Sequence, residues 1–245
     1  MKDNFSKQAN AYAKYRPTYP QELYDFILSK VEQRDVTWDC GTGNGQTAKE
    51  LAKYFKKVFA TDISEKQIQN AHKADNIFYS VQPAEQTRFE NNTFNLITVS
   101  QALHWFNFEK FYSEVKRVGR PGSWLAVWVY SLLRISKDID PIVEDFFLNM
   151  LEKYWDAERK YVDDNYVTIP FPFEEIKRSA FSIEFYWTLD ELEGYFVTVS
   201  ALQKFLTANN DNPLPELMNK IRPYWTNETM KVIFPIHLQM GRIEK

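Results

Sequence analysis

A glycine-rich loop between two apolar segments constrains the fold of this chain more than any other feature of its sequence. The loop reads Gly-Thr-Gly-Asn-Gly over residues 41–45 and follows Val36–Cys40, a short run that is typical of a buried strand. Apolar residues then recur at the spacing of a helix with one apolar face, at Ala48, Leu51, Ala52 and Phe55. A strand, a glycine turn and a helix in this order begin a βαβ unit, in which the glycines let a ligand lie against backbone N–H groups.

The same alternation of strands and helices continues to residue 130. β-prone runs are separated by segments with helical periodicity, and they lie at Val58–Thr61, Ile77–Val81, Phe94–Val99 and Trp124–Val129. Connections of this length are right-handed crossovers between parallel strands. The sequence therefore predicts an α/β fold with a Rossmann-like, mostly parallel sheet that carries helices on both faces.

Beyond residue 130 the pattern changes. A helix is expected from Ile142 to about Tyr161, and a segment rich in Pro and Phe follows it. We interpret residues 131–180 as an insertion that forms a small helical cap over the sheet.

The end of the chain returns to strand-like patterns. Two such runs, Phe181–Trp187 and Val232–Gln239, are separated by helical stretches and can complete the sheet with one antiparallel strand. We therefore expect a single domain over residues 1–245, with lead-in helices in residues 1–33.

Two residues decide which ligand the glycine loop suits. Gln46 occupies the position where a dinucleotide-binding loop has its third glycine. Asp39 stands two residues before Gly41, where a carboxylate repels a pyrophosphate but attracts the ammonium or sulfonium end of S-adenosylmethionine, directly or through water. With Gly43 and Gly45 completing the loop, this arrangement favours S-adenosylmethionine over a nicotinamide dinucleotide.

An acidic residue, Asp62, ends the second predicted strand. A carboxylate at this place accepts hydrogen bonds from the ribose hydroxyls of a nucleoside cofactor. The alternative is that Asp62 acts with Ser64 to cap the following helix. The agreement in spacing between the loop and the acid favours ribose binding.

Several segments together carry a family resemblance. The loop D-C-G-T-G-N-G, the A-T-D-I-S after the second strand, the block E-N-N-T-F-N-L-I-T-V-S-Q-A-L-H-W-F and the N-terminal F-S-K-Q-A-N-A-Y-A-K-Y-R-P-T-Y-P resemble the class I methyltransferases. Within these the chain is similar to the type 11 group, which includes trans-aconitate methyltransferase-like proteins. The resemblance covers residues 4–130 and implies S-adenosylmethionine as the cofactor and a seven-stranded sheet whose seventh strand is antiparallel.

Carried over residue by residue, the family pattern places Asp39 and Gly41 near the methionine part of the donor and Asp62 at its ribose. The remaining positions surround the adenine and the methionine: Ile63 packing on the adenine, Ala84 and Glu85 flanking the adenine and its amine, and Gln101 lining the floor beneath the methionine.

The residues after the fourth strand are candidates for the chemistry. The sulfonium methyl is already electrophilic, so its transfer needs alignment and desolvation, and a base only if the acceptor carries a proton. His104 is the candidate catalytic residue, as a base or as a hydrogen-bond donor; its alternative is a structural role at the helix start. Trp105 and Phe106 are interpreted as pocket wall or core.

Further positions are weighed for ligand binding. In the N-terminal segment, Tyr12, Tyr15 and Arg16 either fold over the cleft, with Arg16 pairing a carboxylate of the donor or acceptor, or anchor the chain end. Arg134 and Arg178 flank the insertion and either bind an acidic acceptor or are solvated.

The aromatic residues of the insertion form another such set. They wall an apolar acceptor pocket or form the core of the cap, and they are Trp155, Tyr161, Phe171 and Phe173.

Composition excludes several classes of partner. A formal net charge of −3 gives no general electrostatic reason to bind nucleic acid or an anionic membrane. Cys40 is the only cysteine and the three histidines are far apart, so no metal site is expected. The polar N-terminus lacks the core of a signal peptide, and the longest apolar run, Trp124–Leu133, is too short to span a bilayer. We expect a cytoplasmic protein that acts on a small-molecule acceptor; the oligomeric state does not follow from the sequence.

Two alternatives to a small-molecule methyltransferase remain at this point. A nicotinamide-dependent oxidoreductase is disfavoured by Gln46 and Asp39. A protein that binds S-adenosylmethionine without catalysis would carry the same loop.

Overall fold

The computed structural model describes residues 18–244, and this part of the chain forms one seven-stranded sheet. In chain order the strands are β1 (Val36–Cys40), β2 (Lys57–Asp62), β3 (Ile77–Val81), β4 (Phe94–Ser100), β5 (Gly119–Tyr130), β6 (Glu174–Trp187) and β7 (Met230–Arg242). Across the sheet the order is β3-β2-β1-β4-β5-β7-β6. β1 to β5 pair in parallel, whereas β7 is antiparallel to both of its neighbours. The predicted Rossmann-like sheet with one antiparallel strand is confirmed.

Helices of the described region connect these strands. They are α1 (Gln21–Leu28), α2 (Gln46–Leu51), α3 (Glu65–Gln69), α4 (Phe108–Val118), α5 (Asp140–Asp145), α6 (Arg159–Asp163), α7 (Leu189–Val197), α8 (Ser200–Asn209) and α9 (Leu214–Ile221). Single turns of 3₁₀-helix lie at Leu103–Trp105, Glu152–Tyr154 and Arg222–Tyr224, and a π-helical turn at Phe146–Met150. In residues 18–244, no helix has the length and apolar character needed to cross a membrane.

Side-chain alternation along β5 divides the core into two layers. Leu125 and Val127 belong to the layer under α4, while Trp124, Ala126 and Trp128 belong to the layer that α1 and α2 cover. Successive side chains of a strand point to opposite faces, so a strand apolar on both faces is covered on both. The central strands are therefore buried, and their carboxyl ends meet at one edge of the sheet, where ligands bind in open α/β folds.

The cap segment, residues 131–173, joins β5 to β6 and differs from the predicted single helix over 142–161. It contains α5, the π-helical turn, a 3₁₀ turn and α6. Phe146 and Leu151 are both buried, and the Trp155 indole stacks on Phe147 and donates to its carbonyl oxygen at 2.8 Å. The segment is thus divided into short helical turns in place of one continuous helix, and tertiary packing overrides local helical preference.

The element boundaries also differ from those expected. β6 begins at Glu174, inside the segment 131–180 that was predicted as an insertion. Its residues pair antiparallel with β7, from Glu174 opposite Arg242 to Trp187 opposite Met230. The cap is also larger than that segment, since α7 and α9, which lie between β6 and β7, contribute to the same buried cluster as α5. Of the lead-in predicted over 1–33, α1 follows Pro20 as expected, and residues 1–17 lie outside the described residues.

Candidate active site

The glycine loop turns sharply from β1 into α2. Gly41, Gly43 and Gly45 all have positive φ, at +68°, +55° and +82°, a region that favours glycine. A Cβ atom on Gly45 would lie 2.2 Å from the hydroxyl of Tyr79. A Cβ on Gly41 would lie 2.7 Å from that of Ala102. The loop thus needs glycine both for its backbone conformation and for close packing.

Asp62 joins the end of β2 to the glycine loop. Its carboxylate accepts hydrogen bonds from the backbone N–H groups of Gly43 and Ser64, each at 2.9 Å. The Ser64 hydroxyl itself accepts from the N–H of Gln67 and caps α3. Ser64 therefore caps the helix while Asp62 lines the cavity. The hydrogen bond from Gly43 to Asp62 also fixes the distance between the loop and β2.

Asp39 is fully buried and does not line the cavity. Its carboxylate accepts hydrogen bonds from the hydroxyls of Thr42, at 2.5 Å, and Thr98, at 2.9 Å. Burial raises the pKa of Asp39 to about 6, although both hydroxyls oppose the rise. In residues 18–244 this carboxylate supports the loop through Thr42, which does line the cavity. Sequence reasoning missed the role of Thr98 because only the fold brings β4 beside β1, and it missed that of Thr42 because spacing within the loop does not show where a side chain points.

A cavity of about 230 Å³ lies at the carboxyl ends of the parallel strands. Most residues predicted for ligand binding line it: Gly41, Gly43, Asp62, Ile63, Ala84, Gln101 and His104. Gly45 is the N-cap of α2 and does not line the cavity. The Glu85 carboxylate accepts from the backbone N–H of Asn107 at the start of α4, so it faces that helix and not the cavity. Tyr15 and Arg16, like Tyr12, fall in residues 1–17 and lie outside the described residues.

Gln101 lines the cavity directly after β4. Its backbone has φ +53°, unusual for a residue other than glycine, and its N–H donates to the carbonyl of Trp128. The side-chain amide oxygen accepts from the N–H of Tyr130 at 2.8 Å. These two bonds hold Gln101 across the ends of β4 and β5.

The cap supplies the opposite wall of the same cavity. This wall is mostly apolar and aromatic with two charged groups, and it includes Leu132, Phe147, Trp155, Asp156, Arg159, Val162, Tyr195 and Val199. The guanidinium of Arg159 lies over the Trp155 ring, 4.3 Å from its centroid, and its Nε donates to Asp163. Lys204 pairs with Asp156 at 2.6 Å.

Several cap residues weighed for ligand binding lie elsewhere. The rings of Phe171 and Phe173 pack on Tyr112, and that of Tyr161 packs on Phe108, all away from the cavity. Arg134 pairs with Glu144, and Arg178 lies exposed on β6. Tyr195 and Val199 were not found from the sequence, because they follow β6 and reach the cavity only through the fold.

His104 lies in the 3₁₀ turn after β4 and is 7% exposed. Its Nδ1 is 2.6 Å from the hydroxyl of Tyr166 in the cap segment. Burial, assisted by the positive charge of Arg159, lowers the pKa of His104 to about 3. The imidazole is therefore neutral at physiological pH. Residues 18–244 contain no cluster of His, Cys, Asp or Glu that could hold a metal ion.

This sheet order, with a glycine loop after β1 and an acid at the end of β2, defines the class of Rossmann-like proteins that bind nucleoside cofactors. The comparisons with known proteins narrow that class. The family described as "Methyltransferase domain" matches residues 38–127. A Dictyostelium discoideum protein named as a methyltransferase is 37% identical over 251 residues, covering 99% of this chain and 95% of that protein.

Two further similar proteins are also named as methyltransferases. A solved structure from Anaeromyxobacter dehalogenans, named as a type II methyltransferase, is 34% identical and has a TM-score of 0.87, covering 94% of this chain and 99% of that one. A Saccharomyces cerevisiae protein named as an S-adenosylmethionine-dependent methyltransferase is 28% identical, covering 63% of this chain and 55% of that protein. The chain belongs to the class I, S-adenosylmethionine-dependent methyltransferases.

Proposed function

We propose that this methyltransferase binds S-adenosylmethionine between the glycine loop and Asp62 and transfers the methyl group to an oxygen of a small molecule held under the cap. One observation carries the proposal: a single cavity reaches from Gly41 and Asp62 to the aromatic and charged residues of the cap. A donor and an acceptor bound in one cavity can be aligned for direct displacement, which is the main requirement of the reaction.

The donor end of the cavity supports the assignments made from the family pattern. Asp62 lies where the ribose is expected, Ile63 and Ala84 offer apolar surface for the adenine, and Gln101 forms the floor. Asp39 contributes by holding Thr42 and the loop, not by direct contact. Glu85 is not assigned to the adenine amine, because it is engaged with the start of α4.

The charge of the acceptor end favours a carboxylate over a hydroxyl. Arg159 uses its Nε to pair with Asp163, and its two terminal NH₂ groups give a largely apolar wall further cationic donors, to which a carboxylate makes charge-assisted hydrogen bonds. A carboxylate needs no base, whereas a hydroxyl acceptor does. The one aspartate of the cap wall, Asp156, is already paired with Lys204. A carboxylate acceptor also agrees with membership of the trans-aconitate methyltransferase-like group, which is part of this proposal.

Donor binding is the first test. Calorimetric titration with S-adenosylmethionine and S-adenosylhomocysteine is expected to show dissociation constants in the micromolar range, about −8 kcal/mol, and NADH is expected not to bind. Binding of NADH without either sulfur compound would overturn the proposal.

Acceptor chemistry is tested with methyl-labelled donor and a mixture of carboxylic acids. A methyl ester releases labelled methanol in alkali, whereas a methyl ether does not, so alkaline lability of the product identifies the methylated group. Arg159→Gln is expected to raise the KM for the acceptor and leave the affinity for S-adenosylhomocysteine unchanged. Arg134→Gln is the matched control, because Arg134 lies outside the cavity. An alkali-stable product would argue against the carboxylate.

The partner and the location belong to the same proposal. We infer a small-molecule acceptor, without nucleic acid or an anionic membrane as partner, on the basis of the net charge of −3. We also propose a cytoplasmic location, because the longest apolar run, Trp124–Leu133, is too short to span a bilayer. Fractionation of cells that express the tagged chain would test the location.

A further inference from the structure

Two consecutive residues of the cap segment adopt a backbone conformation that L-residues other than glycine rarely take. Asn165 has φ +59° and Tyr166 has φ +62°. For a bulky residue such as tyrosine this left-handed conformation is strained, and such strain persists only where surrounding contacts enforce it. We call this pair the Asn165–Tyr166 turn.

The turn is held from several sides. The Tyr166 N–H donates to the carbonyl of Tyr161 at 2.8 Å, and the Tyr166 carbonyl accepts from Ile169 and from the side chain of Gln239 on β7. The Tyr166 ring is 2% exposed. The fold thus anchors a strained turn firmly next to the cavity.

Each residue of the turn orients one group of the cavity wall. The Asn165 side-chain oxygen accepts from the Ser131 hydroxyl at 2.5 Å, and the Tyr166 hydroxyl lies 2.6 Å from His104 Nδ1. Ser131 and His104 line the cavity, whereas Asn165 and Tyr166 stand behind them. The strained turn therefore acts on the cavity through these two side chains.

Either the Tyr166 hydroxyl or the Nδ1 of His104 can donate in the hydrogen bond that joins them. Burial raises the pKa of Tyr166 well above its usual value, so the phenol keeps its proton. The distance of 2.6 Å between the phenol oxygen and His104 Nδ1 is typical of a hydroxyl donor and shorter than the usual range of an N–H donor to oxygen. The phenol therefore donates to His104 Nδ1, and a neutral imidazole that accepts at Nδ1 carries its own proton on Nε2.

This arrangement leaves the Nε2 edge of His104 to the cavity. The hydrogen bond to Tyr166 uses Nδ1, and the ring forms part of the wall that also contains Arg159. The positive charge of Arg159 further disfavours protonation of the ring. An N–H group and a guanidinium in one wall suit an oxygen that accepts hydrogen bonds.

We propose that Tyr166 is a positioning residue that fixes His104 as the neutral Nε2–H tautomer, so that His104 presents a hydrogen-bond donor, and not a base, to the acceptor end of the cavity. The role of that cavity as the acceptor site rests on the proposed function. The reacting oxygen of the acceptor then arrives without a proton, and His104 binds it or a neighbouring oxygen.

Nitrogen-15 NMR of the full chain labelled at histidine tests the tautomer directly. The chain has three histidines, so the His104→Gln variant assigns the His104 signals by difference. We expect the long-range correlation pattern of the Nε2–H tautomer at pH 7 and again at pH 5. An Nδ1–H pattern, or conversion to imidazolium between these pH values, would overturn the proposal.

The role of Tyr166 is tested with Tyr166→Phe, which removes the hydroxyl alone. We expect the Nε2–H preference to give way to a mixture of tautomers. Tyr161→Phe is the matched control, because that ring packs on Phe108 away from the cavity, and its His104 spectrum should equal that of the wild type. An unchanged spectrum in Tyr166→Phe would refute the positioning role.

A second measurement does not depend on the folding of a variant. In the wild-type protein, a scalar coupling between the Tyr166 hydroxyl proton and His104 Nδ1 is expected across their hydrogen bond, and a Tyr166 proton without that coupling would contradict the proposal.

Binding of S-adenosylhomocysteine is expected to be equal in wild type and Tyr166→Phe. If the wild-type protein does not bind S-adenosylhomocysteine, the proposed function is refuted, and the tautomer result still stands.

Discussion

Replacing Asp62 with alanine tests the donor site and the integrity of the loop in one variant. The substitution removes the acceptor of two hydrogen bonds, from the N–H groups of Gly43 and Ser64. At about 1 kcal/mol net for each bond, the free energy of unfolding is expected to fall by about 2 kcal/mol. For a chain of this size that loss lowers Tm by about 4–8 °C.

Donor affinity is expected to fall as well. Loss of the hydrogen bonds from the ribose hydroxyls costs about 1–3 kcal/mol, which is a factor of about 5 to 150 in the dissociation constant. Asp62→Asn should lie between wild type and Asp62→Ala, because an amide has one acceptor oxygen where the carboxylate has two, and its NH₂ group faces a backbone donor.

The measurement is calorimetric titration with S-adenosylhomocysteine, carried out well below the Tm of each variant so that all of them are folded. Asp75→Ala is the control, because Asp75 is exposed in the turn before β3 and does not line the cavity. If Asp62→Ala binds S-adenosylhomocysteine as tightly as the wild type, Asp62 does not hold the ribose and the assignment of the donor end is wrong.

Three further predictions concern stability, each measured as Tm or as free energy of unfolding. Gly45→Ala should cost about 2–3 kcal/mol, because its Cβ meets the Tyr79 hydroxyl at 2.2 Å, whereas Gly43→Ala meets open space and should cost about 1 kcal/mol; equal costs would refute the packing argument. The folded-state pKa of Asp39, about 6, lies above its ordinary value of 3.8, so stability falls as pH rises through this window. Asp39→Asn should therefore stabilise by about 1–3 kcal/mol at pH 8 and by less at pH 4, and the opposite order would contradict the burial. The folded-state pKa of His104, about 3, lies below its ordinary value of 6.5, so the free energy of unfolding decreases as pH falls from 6.5 to 3. His104→Gln has no imidazole to protonate, so its free energy of unfolding should fall less than that of the wild type over this pH range.

Residues on consecutive elements were predictable from the sequence. The glycine loop lies between β1 and α2, and Asp62 ends β2, as periodicity and turn chemistry indicated. Both features are local: a glycine at positive φ and an acid at a strand end follow from short-range patterns. The carboxyl ends of parallel strands meet at one edge, so the sequence pattern also predicts that the glycine loop and Asp62 lie beside the same cavity.

The roles of individual carboxylates were less predictable. Asp39 and Glu85 both stand at family positions, but the first is buried under hydroxyls from Thr42 and Thr98, and the second accepts from the start of α4. The direction and partners of a side chain at a strand end or in a loop depend on the neighbours that the fold brings up, and sequence spacing does not contain that information.

The sequence by itself determined the class of fold, the position of the glycine loop and the family, since each depends on patterns within a few tens of residues. The tertiary structure alone decided the cap side of the cavity wall, where α6, α7 and the cap turns converge from segments before and after β6. It also decided the state of His104, whose partner Tyr166 lies sixty-two residues away in the chain. Burial, charge and hydrogen-bond direction at a site depend on contacts between distant segments, and such contacts exist only once the sheet has formed and the cap has packed upon it.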